Sequence, residues 1–384
     1  KLRETRFASF SSYRGARQIC MQACDFSRYS RKSKIGIGKF FIERNGVTMI
    51  LSDRAVLPLT GSTFEPGNAE KVIKEIEDKE SAQIALAEYY YFSANAELCA
   101  ETVKPYLSHE DIMLRISADM LYTFANLTIG DANAAQQTRE DIQICLAQVT
   151  QENAPMEQKA SCLFAYYVIS IFLHITPEKE MPPLLQYIPY LPIGQRLFAI
   201  SLLAHETYLK QEYAKAKGII QGAFLMADKT YPIPMIYLNC VQAMCQINLK
   251  EQEEAIQSMN FAWEMAKPDS FWEPFIEYHG LLQGLLEVCV RKKEPEIYKQ
   301  LVGKVIAFSR GWMKIHNPKM QKAVTDLLSP LEFSIAMLAC RNWTNQEIAE
   351  YLGFSMNTVK HYVSGILEKL GIDKRDKIKN FVNQ

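Results

Sequence analysis

The sequence predicts a mainly α protein: an α-solenoid of helix pairs, a small N-terminal β-hairpin and a four-helix C-terminal unit. Three observations carry that expectation. From Asn68 to Leu327 apolar residues recur almost throughout at helical spacing, and short loops with Pro, Gly or Asn divide the stretch into pairs. The run Lys39–Leu51 alternates in part between apolar and polar residues about Asn45-Gly46, the dipeptide of a type I′ hairpin turn. Leu328–Val382 carries start and stop signals for each of its helices. The implied organisation is a basic segment with the hairpin at about 39–51 (1–67), a helical-repeat domain (68–313), a linker (314–327) and a C-terminal domain (328–384).

Residues 1–34 hold nine Lys/Arg against two Asp/Glu and read as helical in part, from about Arg14 to Tyr29. Gly36-Ile37-Gly38-Lys39 is like a fragment of a phosphate loop. Ser33 stands where that loop needs glycine and Phe40 where it needs Ser or Thr, so no nucleotide cofactor is expected. Pro58, Gly61, Pro66 and Gly67 mark a loop, after which Asn68 can cap a helix.

The clearest pairs are Gln195–Leu209 with Glu212–Ala227, Pro234–Leu249 with Glu251–Ala266, and Phe271–Val290 with Glu294–Ser309. Their first members start 39 and then 37 residues apart. Looser pairs precede them: Ser81–Phe92 with Ala94–Tyr106, His109–Leu127 with Asp131–Gln148, and Glu157–His174 with a Pro-rich partner. A pair cannot bury its apolar face alone, so neighbours must stack. Tyr208, Tyr213, Ala216 and Ala255 resemble the tetratricopeptide pattern, in which a small residue lets two helices approach. The aromatics Tyr89–Phe92, Phe164–Tyr167 and Phe271-Trp272 suit packing between repeats; the alternative is a groove for a peptide or small effector. His279 reads as a core histidine. Glu273 with Glu277, and Glu253 with Glu254, read as solvated helix faces rather than acid–base pairs.

In the C-terminal unit Ser329, with Pro330 and Glu332, spells a capping box with proline at the first helical position. Asn342 fits the left-handed residue that ends this helix. Thr344 and Glu347 form a second box, Gly353 allows a sharp turn, and Ser355 caps a longer helix that Gly371 ends. Asp373 can cap a short fourth helix with Ile378, Phe381 and Val382. A short helix, a tight turn with Gly and a longer helix make a helix-turn-helix, whose second helix can enter the major groove. With Val359, Val363, Ile366 and Leu370 inward, Asn357, Lys360, His361 and Ser364 face outward.

The spacing of Leu328-Ser329-Pro330, Glu332, Thr344–Ala349, Leu352, Ser355, Thr358-Val359-Lys360, Ile366, Lys369-Leu370-Gly371 and Arg375 resembles the LuxR-type (GerE-type) helix-turn-helix. The resemblance implies a DNA-binding regulator. Lys360, His361 and Ser364 would face base edges, with Thr358 and Lys369 near phosphates. Ile378, Phe381 and Val382 would lie at the fourth helix, which often contributes dimer contacts. The candidate DNA contacts are therefore Thr344, Asn345, Asn357, Thr358, Lys360, His361, Ser364, Lys369, Lys374 and Arg375. Two positions depart from the family pattern: Leu331 replaces an arginine and Tyr362 a histidine.

Formal net charge is zero, so no global excess announces a nucleic acid. Nine scattered cysteines without a CxxC suit buried thiols in a reducing cytoplasm, and no metal is expected. The N-terminus lacks a signal-peptide core, and the most apolar run, Leu163–Ile175, is too short to span a bilayer. No nucleophile–base pair stands at useful spacing, so no enzyme is expected. The leading reading is a cytoplasmic bacterial regulator. It would bind operator DNA as a homodimer, under control of a small-molecule, peptide or protein partner at the repeats. The alternative is an interaction scaffold with a weak or silent DNA-binding domain.

Overall fold

A computed structural model describes residues 40–44, 47–151, 154–173, 182–316 and 327–379. The basic segment, Gly36–Lys39, Cys20, Cys24, Phe381 and Val382 lie outside the described residues. The described residues belong to one compact unit, Lys39–Gln384. Strands β1 (Phe40–Arg44) and β2 (Val47–Leu51) pair antiparallel, with Arg44 opposite Val47. Only Asn45-Gly46 lies between them, outside the described residues. Ile50 of β2 makes a bridge to Asp111, and Leu51 is buried in the core.

The rest is helical. α1 spans Ala69–Glu75, α2 Lys79–Phe92, α3 Ala96–Val103, α4 Ile112–Ile129, α5 Ala132–Gln151 and α6 Met156–Phe172. After two 3-10 turns in the Pro-rich stretch come α7 (Ile193–Leu209), α8 (Tyr213–Met226), α9 (Pro232–Asn248) and α10 (Gln252–Ala266). α7 packs on α8 and α9 on α10, with Ala216 and Ala255 fully buried where the helices approach.

One turn recurs between paired helices. A residue with positive φ follows the first helix, and the next N–H reaches back to a carbonyl five residues earlier. Ala94, Gly130, Gln211 and Lys250 hold that left-handed position. The returning bonds are Asn95 to Tyr90 (2.8 Å), Asp131 to Asn126 (3.0 Å), Glu212 to Thr207 (3.2 Å) and Glu251 to Gln246 (2.8 Å). The bond satisfies an orphan carbonyl at the helix end and turns the chain back on itself.

The packing also departs from the nearest-neighbour row that defines a solenoid. The Asp269 carboxylate accepts the backbone N–H groups of Gly67 (2.6 Å) and Ala69 (3.0 Å), 200 residues earlier. Helix α13 (Pro295–His316) runs against α4. A Cβ added at Gly311 would fall 1.7 Å from the Leu127 carbonyl oxygen, so only glycine permits that approach. The aromatics fill this interior: Phe172, Phe198, His205, Tyr237 and Tyr278 meet face and edge, with ring centroids 4.8–5.8 Å apart. Tyr91, Phe92, Phe164, Tyr166 and Phe271 are buried as well. These are core, whereas Tyr89, Tyr90, Tyr167 and Trp272 are half-buried.

Two expectations are overturned here. Phe271–Val290 is not one helix. It breaks into α11 (Glu273–Glu277) and α12 (Leu285–Cys289), separated by turns with Gln283 at φ +50° and Gly284 at φ +89°. Glu273 and Glu277 are not on a solvated face: Glu273 is buried and Glu277 half-buried, because α11 crosses the interior. Glu277 accepts hydrogen bonds from the hydroxyls of Tyr237 (2.6 Å) and Tyr91. Burial pushes the Glu277 carboxyl up to about 7. Glu253 and Glu254 are exposed as expected, and His279 is buried as expected. The seven described cysteines are free thiols, six of them buried.

Candidate nucleic-acid interface

Three helices build the C-terminal segment: α14 (Pro330–Cys340), α15 (Asn345–Leu352) and α16 (Met356–Leu370), followed by a 3-10 turn, Arg375–Ile378. Both capping boxes form. Ser329 takes the Glu332 N–H while the Glu332 carboxylate takes the Ser329 N–H (2.8 Å). Thr344 and Glu347 repeat the arrangement. Asn342 (φ +64°), Gly353 (φ +67°) and Gly371 (φ +66°) hold the left-handed positions that end the three helices. Ser355 accepts the Thr358 N–H at 3.1 Å and so starts α16. Asp373 does not cap the last turn. Lys374 occupies that position, and Asp373 instead pairs with Lys377.

These stops fix the rotation of α16. Val359, Val363, Ile366 and Leu370 are buried against α14 and α15, together with Ile335, Leu338, Ile348 and Leu352. Asn357, Lys360, His361 and Ser364 are therefore all exposed, on the side away from the core. Tyr362, one position from His361, is half-buried with its ring 5.9 Å from that of Phe354. Gly365 leaves open space: a Cβ there meets nothing within 4 Å.

The remaining candidates divide. Thr344 and Lys374 are exposed. Asn345 and Thr358 are half-buried, and the Thr358 hydroxyl bonds to that of Ser355 (2.8 Å). Lys369 sits 2.7 Å from both oxygens of Glu332. Burial alone would raise the Glu332 carboxyl, but Lys369 and Ser329 outweigh it and hold the group below its usual range. Arg375 turns inward and bonds to the Asn345 side chain and the Trp343 carbonyl. Lys369 and Arg375 thus act as struts within the segment. Ile378 is completely buried, so it forms part of this segment's own core.

Residues 326–381 match the family model GerE, bacterial regulatory proteins of the luxR family. No curated protein and no solved structure matches the chain. The GerE match supports a DNA-binding transcription regulator. Among the described residues no helix is long and apolar enough to cross a membrane, and no group of three or more His, Cys, Asp or Glu could hold a metal ion.

The GerE segment does not stand apart from the helices before it. It sits on the break between α11 and α12. A Cβ at Gly280 would lie 2.7 Å from the Phe333 ring, and one at Gly284 would lie 2.8 Å from Leu352. Beneath this contact Glu287, 1% exposed, meets His279 (3.1 Å), Ser334 of α14 (3.2 Å) and Tyr298 (3.3 Å). At the edge the Arg341 guanidinium donates to the hydroxyls of Tyr208 (3.2 Å) and Tyr213 (3.4 Å). Lys250 pairs with Glu347 at 3.3 Å, and the Arg291 guanidinium lies 4.7 Å from the Phe354 ring centre. Sequence reasoning missed this seat. The available signal was Gly280 and Gly284, four apart inside an otherwise helical pattern.

Proposed function

We propose that the chain is a bacterial, cytoplasmic, non-enzymatic transcription regulator that binds operator DNA through α16. One observation carries this reading: Asn357, Lys360, His361 and Ser364 share the open side of a helix whose other side is buried. Such a helix suits the major groove, where Lys can bond guanine and Ser or His can bond base edges or phosphate. Lys360 and Lys374 supply phosphate attraction. A single module of this size offers limited contact area, so it acts as a homodimer on paired half-sites.

In this reading the helical part is a tetratricopeptide-like array that receives an effector or a partner. The recurrent left-handed turn between its paired helices supports that relation. A surface cleft of about 530 Å³, lined by Thr63, Val72, Ile76, Ile193 and Tyr231 among others, is large enough for a small molecule. The second reading, a scaffold whose DNA-binding segment is weak or silent, draws on the internal pairing of Lys369 and Arg375.

In vitro selection from random duplexes, followed by gel-shift titration, separates the two. The regulator reading expects enrichment of a defined sequence and loss of preference in Lys360→Ala. Failure to enrich any sequence, or binding unchanged by that substitution, favours the scaffold.

A further inference from the structure

We propose that Lys292 and Lys293, in the helical part of the chain, bind the phosphate backbone of the duplex whose bases α16 reads. The inference rests on the DNA-binding reading of α16 and makes the interface a joint product of both parts of the chain. The two lysines lie in the turn after α12, where the N–H groups of Lys293 (3.0 Å) and Glu294 (2.8 Å) close on the Val290 carbonyl. That turn is seated against Gly353 and Phe354, the connection that leads into α16. Arg291 stacks its guanidinium on the Phe354 ring at 4.7 Å. The Lys292 ammonium lies beside Gly353, so that an added Cβ there would come within 2.9 Å of it.

The charge at this place is available. Lys292 and Lys293 are exposed, and among the described residues neither has a carboxylate within ion-pair distance. Lys293 reaches only the amide oxygen of Asn260, at 3.3 Å. The neighbouring acid Glu294 takes the Trp263 indole N–H at 2.9 Å and pairs with Lys267 at 3.0 Å, and it meets the Lys293 charge only at longer range. Glu296 is exposed nearby, which leaves the turn with a cationic surplus.

The position fits a backbone contact rather than a base contact. A recognition helix enters the major groove with its N-terminal residues toward the bases, so the residues just before it stand at the groove's rim. The groove is about 12 Å wide and is bordered by phosphate rows. A lysine beside Gly353, two residues before the Ser355 cap, therefore faces a phosphate row when α16 is inserted. Such contacts fix position and orientation and carry no sequence information.

The test uses the full chain and fluorescence anisotropy on two labelled duplexes: a selected sequence and a mixed sequence about two helical turns long. Binding is measured across a salt series. The double variant Lys292→Ala/Lys293→Ala is expected to reduce the slope of log K against log salt by about 1 to 2, and to weaken both duplexes by a similar factor. Lys292→Arg/Lys293→Arg should keep the wild-type slope. A wild-type slope in the alanine variant overturns the proposal and leaves the α16 reading intact. Absence of salt-sensitive binding by the wild-type chain overturns both. Unchanged thermal unfolding of the variants ties the result to the interface rather than to folding.

Discussion

Gly284→Ala should loosen the seat of the GerE segment. Gly284 holds φ +89°, a left-handed conformation that costs an L-residue about 1–2 kcal/mol. Its new methyl group would also stand 2.8 Å from Leu352 Cδ2 and 3.4 Å from the Tyr351 ring. To restore the 3.4 Å of ordinary contact, Leu352 must retreat by about 0.6 Å from a position where it is 3% exposed. Overpacking of that kind costs about 1–3 kcal/mol. Together the two effects give a loss of about 2–5 kcal/mol in holding α15 on α12. The assay is urea denaturation followed by tryptophan fluorescence, because Trp343 is buried within the GerE segment. The expected result is a lower midpoint or a separate early transition that includes Trp343. Gly218→Ala is the control, since a Cβ there meets nothing within 4 Å. If Gly284→Ala unfolds with the wild-type midpoint and slope, the segment is not held on residues 280–284 as described.

Arg341→Ala removes the fork that joins Tyr208 and Tyr213 and should destabilise the chain by about 2 kcal/mol in the same denaturation assay. Arg341→Lys should recover only part of this, because a single ammonium cannot reproduce the planar fork; full recovery would count against the geometry. Asp119 is buried, and neither of its carboxyl oxygens has a hydrogen-bond partner among the described residues. Burial, with Asp141 nearby and against the pull of Arg115, pushes its carboxyl up to about 8. Between about pH 4 and that value the fold binds more protons than the unfolded chain, so stability falls as pH rises through the window. Asp119→Asn should flatten the decline between about pH 6 and pH 8; an equal decline in both proteins refutes the assignment. Gly365→Ala should stabilise α16 by about 0.5–1 kcal/mol, since the methyl meets open space. A lower melting temperature in that variant would contradict this.

The parts of the fold that are written in local chemistry were legible. Ser329 with Glu332, Thr344 with Glu347, and Asn342, Gly353 and Gly371 each carry their own instruction, and each forms as read. From those stops the inward and outward faces of α16 follow. The repeat turns were less legible, because Ala94, Gln211 and Lys250 occupy a left-handed position that glycine usually announces. Contacts between distant residues were not legible at all. Glu273 and Glu277 have the spacing of a solvated face, and only the crossing of α11 through the interior buries Glu273 and half-buries Glu277. Lys369 and Arg375 match the family's spacing, yet their partners, Glu332, Asn345 and Trp343, are set by packing that no local pattern records. The break at Gly280 and Gly284 belongs to the same class, since it is the approach of Phe333 and Leu352 that excludes a side chain there.

Helix α13 is a rigid rod of 22 residues, about 33 Å long at the rise of an α-helix. Near one end its Tyr298 hydroxyl joins the Glu287 cluster beneath the GerE segment. Toward the other, Gly311 is pressed on the α4 backbone, and the Trp312 indole N–H reaches the Phe172 carbonyl at 3.3 Å. A rod clamped at two such points behaves as a lever. A shift of α4 or α6 would be carried along it to the floor of the GerE segment, far from the exposed face of α16.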